Sequence, residues 1–352
     1  MPLISEHEFF IQLHLTERCN LRCTHCYQTG DRSDELSLPE IQALITEVSE
    51  MLQDWSEAYT LSFASSFSVT GGEPFMRNDL FPILEELRKR GLDTYLLSNG
   101  TLIDQGRATA LAELGTKGVQ VSIEGPESVH DAIRGRGSLA SSLRGVGHLL
   151  DAGVEVTLNT TLSEINEPYF MDVVAMASSL GVQRLGFSRL VPAGRGKSLQ
   201  SRMLQAGRLK DLYKKIFSLE TNGLSLVTGD PVAAQLNMQT TADVPDPVPT
   251  AGCAAGVSGL TILPDGTITP CRRLPVPIGN VRKDSLREVW ATSEVLHRIR
   301  DRARYSGRCG TCGRWSVCRG CRAIAYAQSA DSAAGYLAED PQCFIVPSEK
   351  RE

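Results

Sequence analysis

Three thiols fall within eight residues, at Cys19, Cys23 and Cys26. A lone structural zinc takes four closed ligands, and no fourth donor of suitable type lies at a useful offset. His25 is adjacent to Cys26, awkwardly placed for the same ion. Three thiolates on one tight loop instead match three irons of a 4Fe–4S cluster and leave the fourth iron open to another ligand. The flanks are polar and loop-like, unlike those of cysteines buried as small hydrophobes.

The chain has 352 residues and ten cysteines, and the other seven lie between Cys253 and Cys343. Four of them form Cys309-x2-Cys312-x5-Cys318-x2-Cys321, joined by Cys253, Cys271 and Cys343. A zinc ribbon built on the four has a shorter central loop than such sites use and leaves the other three unexplained. Seven thiolates suit two further 4Fe–4S clusters, one ligand short of eight. Met1 to Glu8 contains no basic stretch followed by an apolar run, and no apolar window is long enough to span a bilayer. A cytoplasmic setting is expected, where thiols serve as metal ligands rather than disulfides. The net charge of −5 excludes nucleic acid as the main partner on electrostatic grounds. The arginines at 298, 300, 302 and 304 read as a solvated helix face.

The elements that must position these thiols alternate. Strands are predicted at Phe9 to Thr16, Phe67 to Thr70, Thr94 to Leu97, Gly118 to Ile123, Val154 to Thr161 and Arg184 to Leu190. Helices are predicted at Leu38 to Trp55, Asp79 to Arg90, Asp104 to Leu114, Ser138 to Asp151 and Pro168 to Leu180, with Gly91, Gly153 and Gly181 at helix ends. Six strand-helix alternations imply parallel β/α units, too few for a closed eight-fold barrel. In such arrays the chemistry sits at the C-terminal strand ends. The polar and glycine-rich stretches fall there: the cysteine loop, Gly71-Gly72-Glu73-Pro74, Ser98-Asn99-Gly100, Ser122 to Pro126, Asn159-Thr160-Thr161 and Pro192 to Gly196. Arg202 to Asn222 reads as a linking helix, and Asp243 to Pro249 as a proline-rich boundary. Leu260 to Cys271 reads as a β-hairpin with a Pro-Asp-Gly turn.

The cysteine triplet after a first strand, followed by Gly-Gly-Glu-Pro after a second, resembles the radical S-adenosylmethionine (SAM) enzymes. The distal cysteines resemble their C-terminal SPASM extension. This resemblance implies an α/β fold, a partial (β/α)6 TIM-like barrel followed by a small cysteine-rich iron–sulfur domain. The implied division is residues 1–200 for the barrel, 201–250 for the link and 251–346 for the distal domain. S-adenosylmethionine would occupy the open iron and yield a 5′-deoxyadenosyl radical. By resemblance, Gly71, Gly72 and Glu73 bind its ammonium group, Ser122, Glu124 and Asn159 lie near its ribose and carboxylate, and His25 stands beside its adenine. For Ser122 and Asn159 a strand-end capping role is the alternative. Arg134 and Arg136 are read either as carboxylate anchors or as a solvated loop. Cys309, Cys312, Cys318 and Cys343 would hold one auxiliary cluster, and Cys253, Cys271 and Cys321 the other. The family usually spaces Cys318 and Cys321 one residue further apart.

The leading expectation is a maturase that abstracts hydrogen from a ribosomally made precursor peptide, with crosslinking, epimerisation or oxidation as outcome. It implies a separate leader-binding protein or direct binding in the barrel mouth, and a flavodoxin or ferredoxin reductant. Arg272 stands where sulfatase-maturing relatives place an acidic base, which disfavours formylglycine formation. The alternative is oxidation or decarboxylation of a small molecule such as a tetrapyrrole, in haem-type biosynthesis. A non-enzymatic iron–sulfur electron carrier is argued against by Gly-Gly-Glu-Pro and the open triplet. No catalytic acid or base stands out; Tyr27, Glu124 and the arginines are the candidates.

Overall fold

The computed structural model describes residues 6–30, 34–221, 223–237, 248–330 and 333–345. Most of the proline-rich stretch, residues 243–247, lies outside the described residues, as does residue 346.

Seven strands run in parallel and in chain order: β1 (Glu6–His14), β2 (Ser62–Thr70), β3 (Asp93–Ser98), β4 (Gly118–Ser122), β5 (Val156–Leu162), β6 (Arg184–Arg189) and β7 (Ser225–Val227). Between them lie α1 (Leu38–Tyr59), α2 (Leu80–Lys89), α3 (Gln105–Glu113), α4 (Glu127–Arg134), α5 (Ser138–Asp151), α6 (Phe170–Leu180) and α7 (Ala206–Phe217). Ile11, Leu13, Phe67, Val69, Leu96, Val121 and Leu158 are fully buried, as befits parallel strands covered by helices. α1 begins with Pro39 in its first turn, and the Ser37 N–H donates to Glu40 Oε2 at 2.7 Å. Its apolar residues Ile41, Leu44, Ile45, Val48, Met51 and Leu52 recur at helical spacing and are buried.

The sheet continues past β1. β8 (Gly259–Ile262) pairs parallel to β1, and β9 (Thr267–Thr269) returns antiparallel to it as the expected hairpin. β10 (Gly279–Asn280) completes an open ten-stranded sheet with β7 and β10 at its edges. The partial barrel is therefore extended, not closed, and the distal cysteine region is tied into its sheet.

Three sequence expectations are corrected. The stretch ending in Arg134 is helix α4, not loop, and Arg134 is its last residue. β7 is a short strand inside the stretch read only as a link. Arg300 is not solvated: its guanidinium stacks on Trp290 at 4.1 Å and donates to the Gly256 carbonyl at 2.7 Å.

Candidate functional site

The triplet loop begins where β1 ends, and backbone contacts pin it over neighbouring strand ends. Gly72 N–H donates to Thr16 O at 2.7 Å and Glu73 N–H to Arg18 O at 2.9 Å. A Cβ on Gly72 would stand 2.3 Å from Arg18 O, so only glycine lets the two segments approach. Gly194 meets the loop from the other side: with φ at +53°, a Cβ there would lie 2.3 Å from Tyr27 O. Gly196 N–H donates to Cys26 O at 2.9 Å, and Arg195 Nε to Cys23 O at 3.1 Å.

Gly72→Ala is expected to displace Glu17–Arg18 and weaken S-adenosylmethionine binding at least about tenfold, since the clashing atoms are backbone. Gly147→Ala, where a Cβ meets nothing within 4 Å in α5, is the control and is expected to be neutral or slightly stabilising. Equal binding by both variants in equilibrium dialysis would contradict this account.

Next to the loop lies a cavity of about 930 Å³. Its wall includes Cys19, Cys23, Cys26, His25, Gly71, Gly72, Ser98, Asn99, Ser122 and Asn159, together with Arg272 and Arg273 from the distal region. Ser122 and Asn159 face each other in register on β4 and β5. Arg136 is exposed and off this wall.

Glu73 and Glu124 are fully buried and stand behind the wall. Glu73 accepts from Ser98 Oγ at 2.8 Å, Asn99 N at 2.8 Å and Phe75 N at 3.4 Å. It thereby holds the end of β3, whose Asn99 lies against Cys19 Sγ at 3.9 Å. Burial pushes the Glu73 carboxyl from 4.5 up to about 7, against the pull of these donors. The folded chain therefore holds this proton more tightly than the unfolded chain. The group favours folding most below pH 4.5, and that contribution declines as the pH rises through about 7. Glu73→Gln, which cannot ionise, is expected to flatten the dependence of the urea midpoint on pH between those values. An unchanged slope would refute the assignment.

Glu124 accepts from Arg134 Nε at 3.0 Å, His25 Nε2 at 3.1 Å, Thr161 N at 2.9 Å and Asn166 Nδ2 at 3.3 Å. Burial alone would raise its carboxyl; the Arg134 guanidinium and His25 outweigh it and hold the group well below the usual carboxylate range. A proton on His25 Nε2 serves this bond and leaves Nδ1, which is buried and has no hydrogen-bond partner among the described residues. Arg134 also reaches Cys23 Sγ, at 3.8 Å. Both carboxylates thus act on the site through the groups they position. Asn166 carries no signal in the sequence and Thr161 only its place in the Asn159–Thr161 strand end, because only the fold brings them to Glu124.

The thiols receive N–H donors in a recurring way. The backbone N–H two residues onward points at Cys19, Cys312 and Cys318, each at 3.4 Å. Arg322 reaches Cys309 Sγ at 3.8 Å. Gln235 Nε2 stands between Cys318 Sγ at 3.4 Å and Cys343 Sγ at 3.5 Å. Cys321 lies near Cys253, and Arg273 lies near both Cys321 and Cys271. Burial pushes the thiols of Cys318 and Cys321 up to about 12, and a bound metal would supply the positive charge that a thiolate there needs. Among the described residues no three His, Cys, Asp or Glu side chains converge tightly enough for a single metal ion. Donors aimed at separated sulfurs fit a polynuclear cluster, whose thiolates surround a cube.

The parallel β/α strands thus carry a three-thiol loop at their C-terminal ends. Residues 13–177 match the Radical SAM superfamily, and residues 253–322 match SPASM, an iron–sulfur cluster-binding domain. The chain is 32% identical to the AdoMet-dependent heme synthase of Oleidesulfovibrio alaskensis, over 97% of this chain and 88% of that protein. It is 29% identical to the mycofactocin maturase MftC of Mycobacterium tuberculosis, over 87% and 76% respectively. Its fold resembles that of Streptococcus suis SuiB bound to S-adenosylmethionine, with a TM-score of 0.77 and 15% identity over 96% of this chain and 78% of that one. The chain belongs to the radical SAM superfamily and carries a C-terminal SPASM domain. Enzymes of this class bind S-adenosylmethionine and iron–sulfur clusters. Among the described residues no helix is long and apolar enough to cross a membrane.

Proposed function

We propose that this enzyme decarboxylates or oxidises carboxyalkyl side chains of a haem-type tetrapyrrole. The observation that carries this reading is the 32% identity to a heme synthase across nearly the whole chain. It reverses the order of the two expectations drawn from the sequence. The cavity is consistent with it: the triplet and the arginines Arg272 and Arg273, which follow Cys271, line the same space.

We infer three 4Fe–4S clusters, with Cys19, Cys23 and Cys26 on the first. Cys309, Cys312, Cys318 and Cys343 belong to the second, which the shared Gln235 amide supports. Cys253, Cys271 and Cys321 belong to the third, supported by the proximity of Arg273 to Cys271 and Cys321 and of Cys253 to Cys321. When bound, the first cluster and S-adenosylmethionine supply a 5′-deoxyadenosyl radical. The backbone of Gly71 and Gly72, with Ser122, Asn159 and His25, holds and orients the cosubstrate. A decarboxylation would convert a side chain R–CH2–CH2–COO⁻ to R–CH=CH2 with net loss of one hydrogen atom, one electron and CO2, and the bound cofactors would supply the hydrogen-abstracting and electron-accepting chemistry. A cytoplasmic location and a flavodoxin or ferredoxin reductant accompany this reading.

The test is anaerobic, reconstituted enzyme with dithionite, S-adenosylmethionine and iron coproporphyrin III. Loss of CO2 from the porphyrin, seen by mass spectrometry alongside 5′-deoxyadenosine, is expected. Formation of 5′-deoxyadenosine with unaltered porphyrin would overturn the reading. The likeness to a mycofactocin maturase supports the second reading, modification of a precursor peptide with a leader-binding partner. A mass change in a peptide encoded beside the gene, under the same conditions, would favour it.

A further inference from the structure

The cavity wall holds more positive charge than the protein's carboxylates neutralise. Arg18 pairs with Glu35, Arg134 with Glu124, and Arg189 with Asp230 and Asp340. Arg22, Arg195, Arg272 and Arg273 also line it, and among the described residues none of the four makes an ion pair with a carboxylate. The acids on the wall are Glu17, Asp34 and Glu35; Asp34 pairs with Arg282 and Glu35 with Arg18.

Arg272 and Arg273 differ from the other two in how they are held. They are the central residues of a turn that Cys271 and Leu274 close, with Leu274 N–H donating to Cys271 O at 2.9 Å. That turn follows β9, so the sheet fixes where it points. The Arg272 guanidinium lies 5.9 Å from the centre of the Tyr27 ring. Arg273 donates only one long bond, to Arg189 O at 3.4 Å, and its Nε is buried with no hydrogen-bond partner among the described residues. A buried guanidinium N–H without an acceptor is costly unless a ligand supplies one. The ligand chemistry that completes a planar fork of N–H donors is a carboxylate, bound through two parallel hydrogen bonds.

We propose that Arg272 and Arg273 form a clamp for substrate carboxylates, holding a tetrapyrrole by its acidic side chains between the radical-generating triplet and the Cys271 thiol. The clamp rests on the tetrapyrrole reading above. It fixes which face of the substrate meets the triplet, because the turn is anchored by β9 and its Arg272 guanidinium stands beside Tyr27, the residue that follows Cys26. Side chains left outside the clamp are then the ones open to hydrogen abstraction.

The experiment uses the iron-loaded, S-adenosylmethionine-bound enzyme under anaerobic conditions. Two fluorescent probes are titrated by anisotropy: coproporphyrin III, with four free carboxylates, and its tetramethyl ester. The wild type is expected to bind the acid at least about thirtyfold more tightly than the ester, the scale of a desolvated charged hydrogen bond lost on one side. Arg272→Gln and Arg273→Gln should each weaken the acid by a similar factor without affecting the ester. Arg273→Lys should fall between, since an ammonium keeps the charge but not the fork. Iron content and unfolding temperature identify a variant that fails to fold, and the ester comparison needs no variant. If the acid and ester bind the wild type equally, the clamp is overturned while the tetrapyrrole reading stands. The same holds if the glutamine variants bind the acid within about twofold of wild type, or change only the electron paramagnetic resonance of the distal clusters. If the wild type binds neither probe, the tetrapyrrole reading fails and the clamp fails with it.

Discussion

Replacing Cys19, Cys23 and Cys26 together with alanine is expected to abolish cleavage of S-adenosylmethionine while leaving the distal clusters loaded. The three thiols sit on one loop over the strand ends, and the other seven lie in a later region of the chain that joins the sheet through β8 and holds its thiols on its own segments, around β9 and Cys309 to Cys321. Removal of the triplet should lower iron by about four atoms per chain, the content of one cluster. The remaining iron should keep the optical and paramagnetic signatures of distal clusters. Production of 5′-deoxyadenosine by the variant would refute the assignment of the triplet. Loss of all iron would refute the separation of the sites. Wild type measured in parallel gives both baselines.

The second large effect is expected at Arg189. This guanidinium closes β6 and donates to Asp230 Oδ2 at 2.6 Å, to Asp340 Oδ1 at 2.9 Å and to Gln342 Oε1 at 2.9 Å. The side chains of Arg189 and Asp340 are 1% and 0% exposed. Asp340 also accepts the Cys321 N–H at 2.7 Å, so one carboxylate ties a barrel strand to a distal thiol. Its carboxyl is pushed up by burial and pulled down further by Arg189, which holds it ionised. Asp340→Ala leaves a buried guanidinium half-compensated, and breaking a buried pair from one side costs about 3–5 kcal/mol. Differential scanning fluorimetry of the loaded enzyme should show a drop of several degrees, and iron should be lost from the distal sites before the triplet. Unchanged stability and iron content would show that the network is dispensable. Asp340→Asn, which keeps acceptor capacity but not charge, should lie between.

Much of the site was legible before the fold. The triplet, Gly71-Gly72 and the distal cysteines are local patterns, and cluster chemistry demands those residue types at short spacing. The strands were readable because parallel strands covered on both faces are short apolar runs between turn signals. The short elements were not: α4 spans eight residues and β7 three, too few for periodicity to rise above loop composition. Arg134 was consequently read as an optional anchor, although α4 makes it the partner of Glu124 and a neighbour of Cys23. The pairing of Arg189 with Asp340 joins residues 151 positions apart, and nothing in either neighbourhood announces it.

The sequence alone determined the chemistry this protein can perform, because thiolate spacing and a glycine pair that lets two backbones touch are properties of adjacent residues. Tertiary structure decided how that chemistry is directed. It placed Glu73 and Glu124 behind the wall as positioning groups, since burial and surrounding donors draw their carboxylates inward. It joined β8 to β1, which brings the Cys271 turn to the mouth of the barrel. It left Arg272 and Arg273 facing the cavity without carboxylate partners of their own. Such outcomes depend on which distant strands hydrogen-bond and which charges are buried together, and these follow from the packing of the whole sheet rather than from any one stretch of sequence.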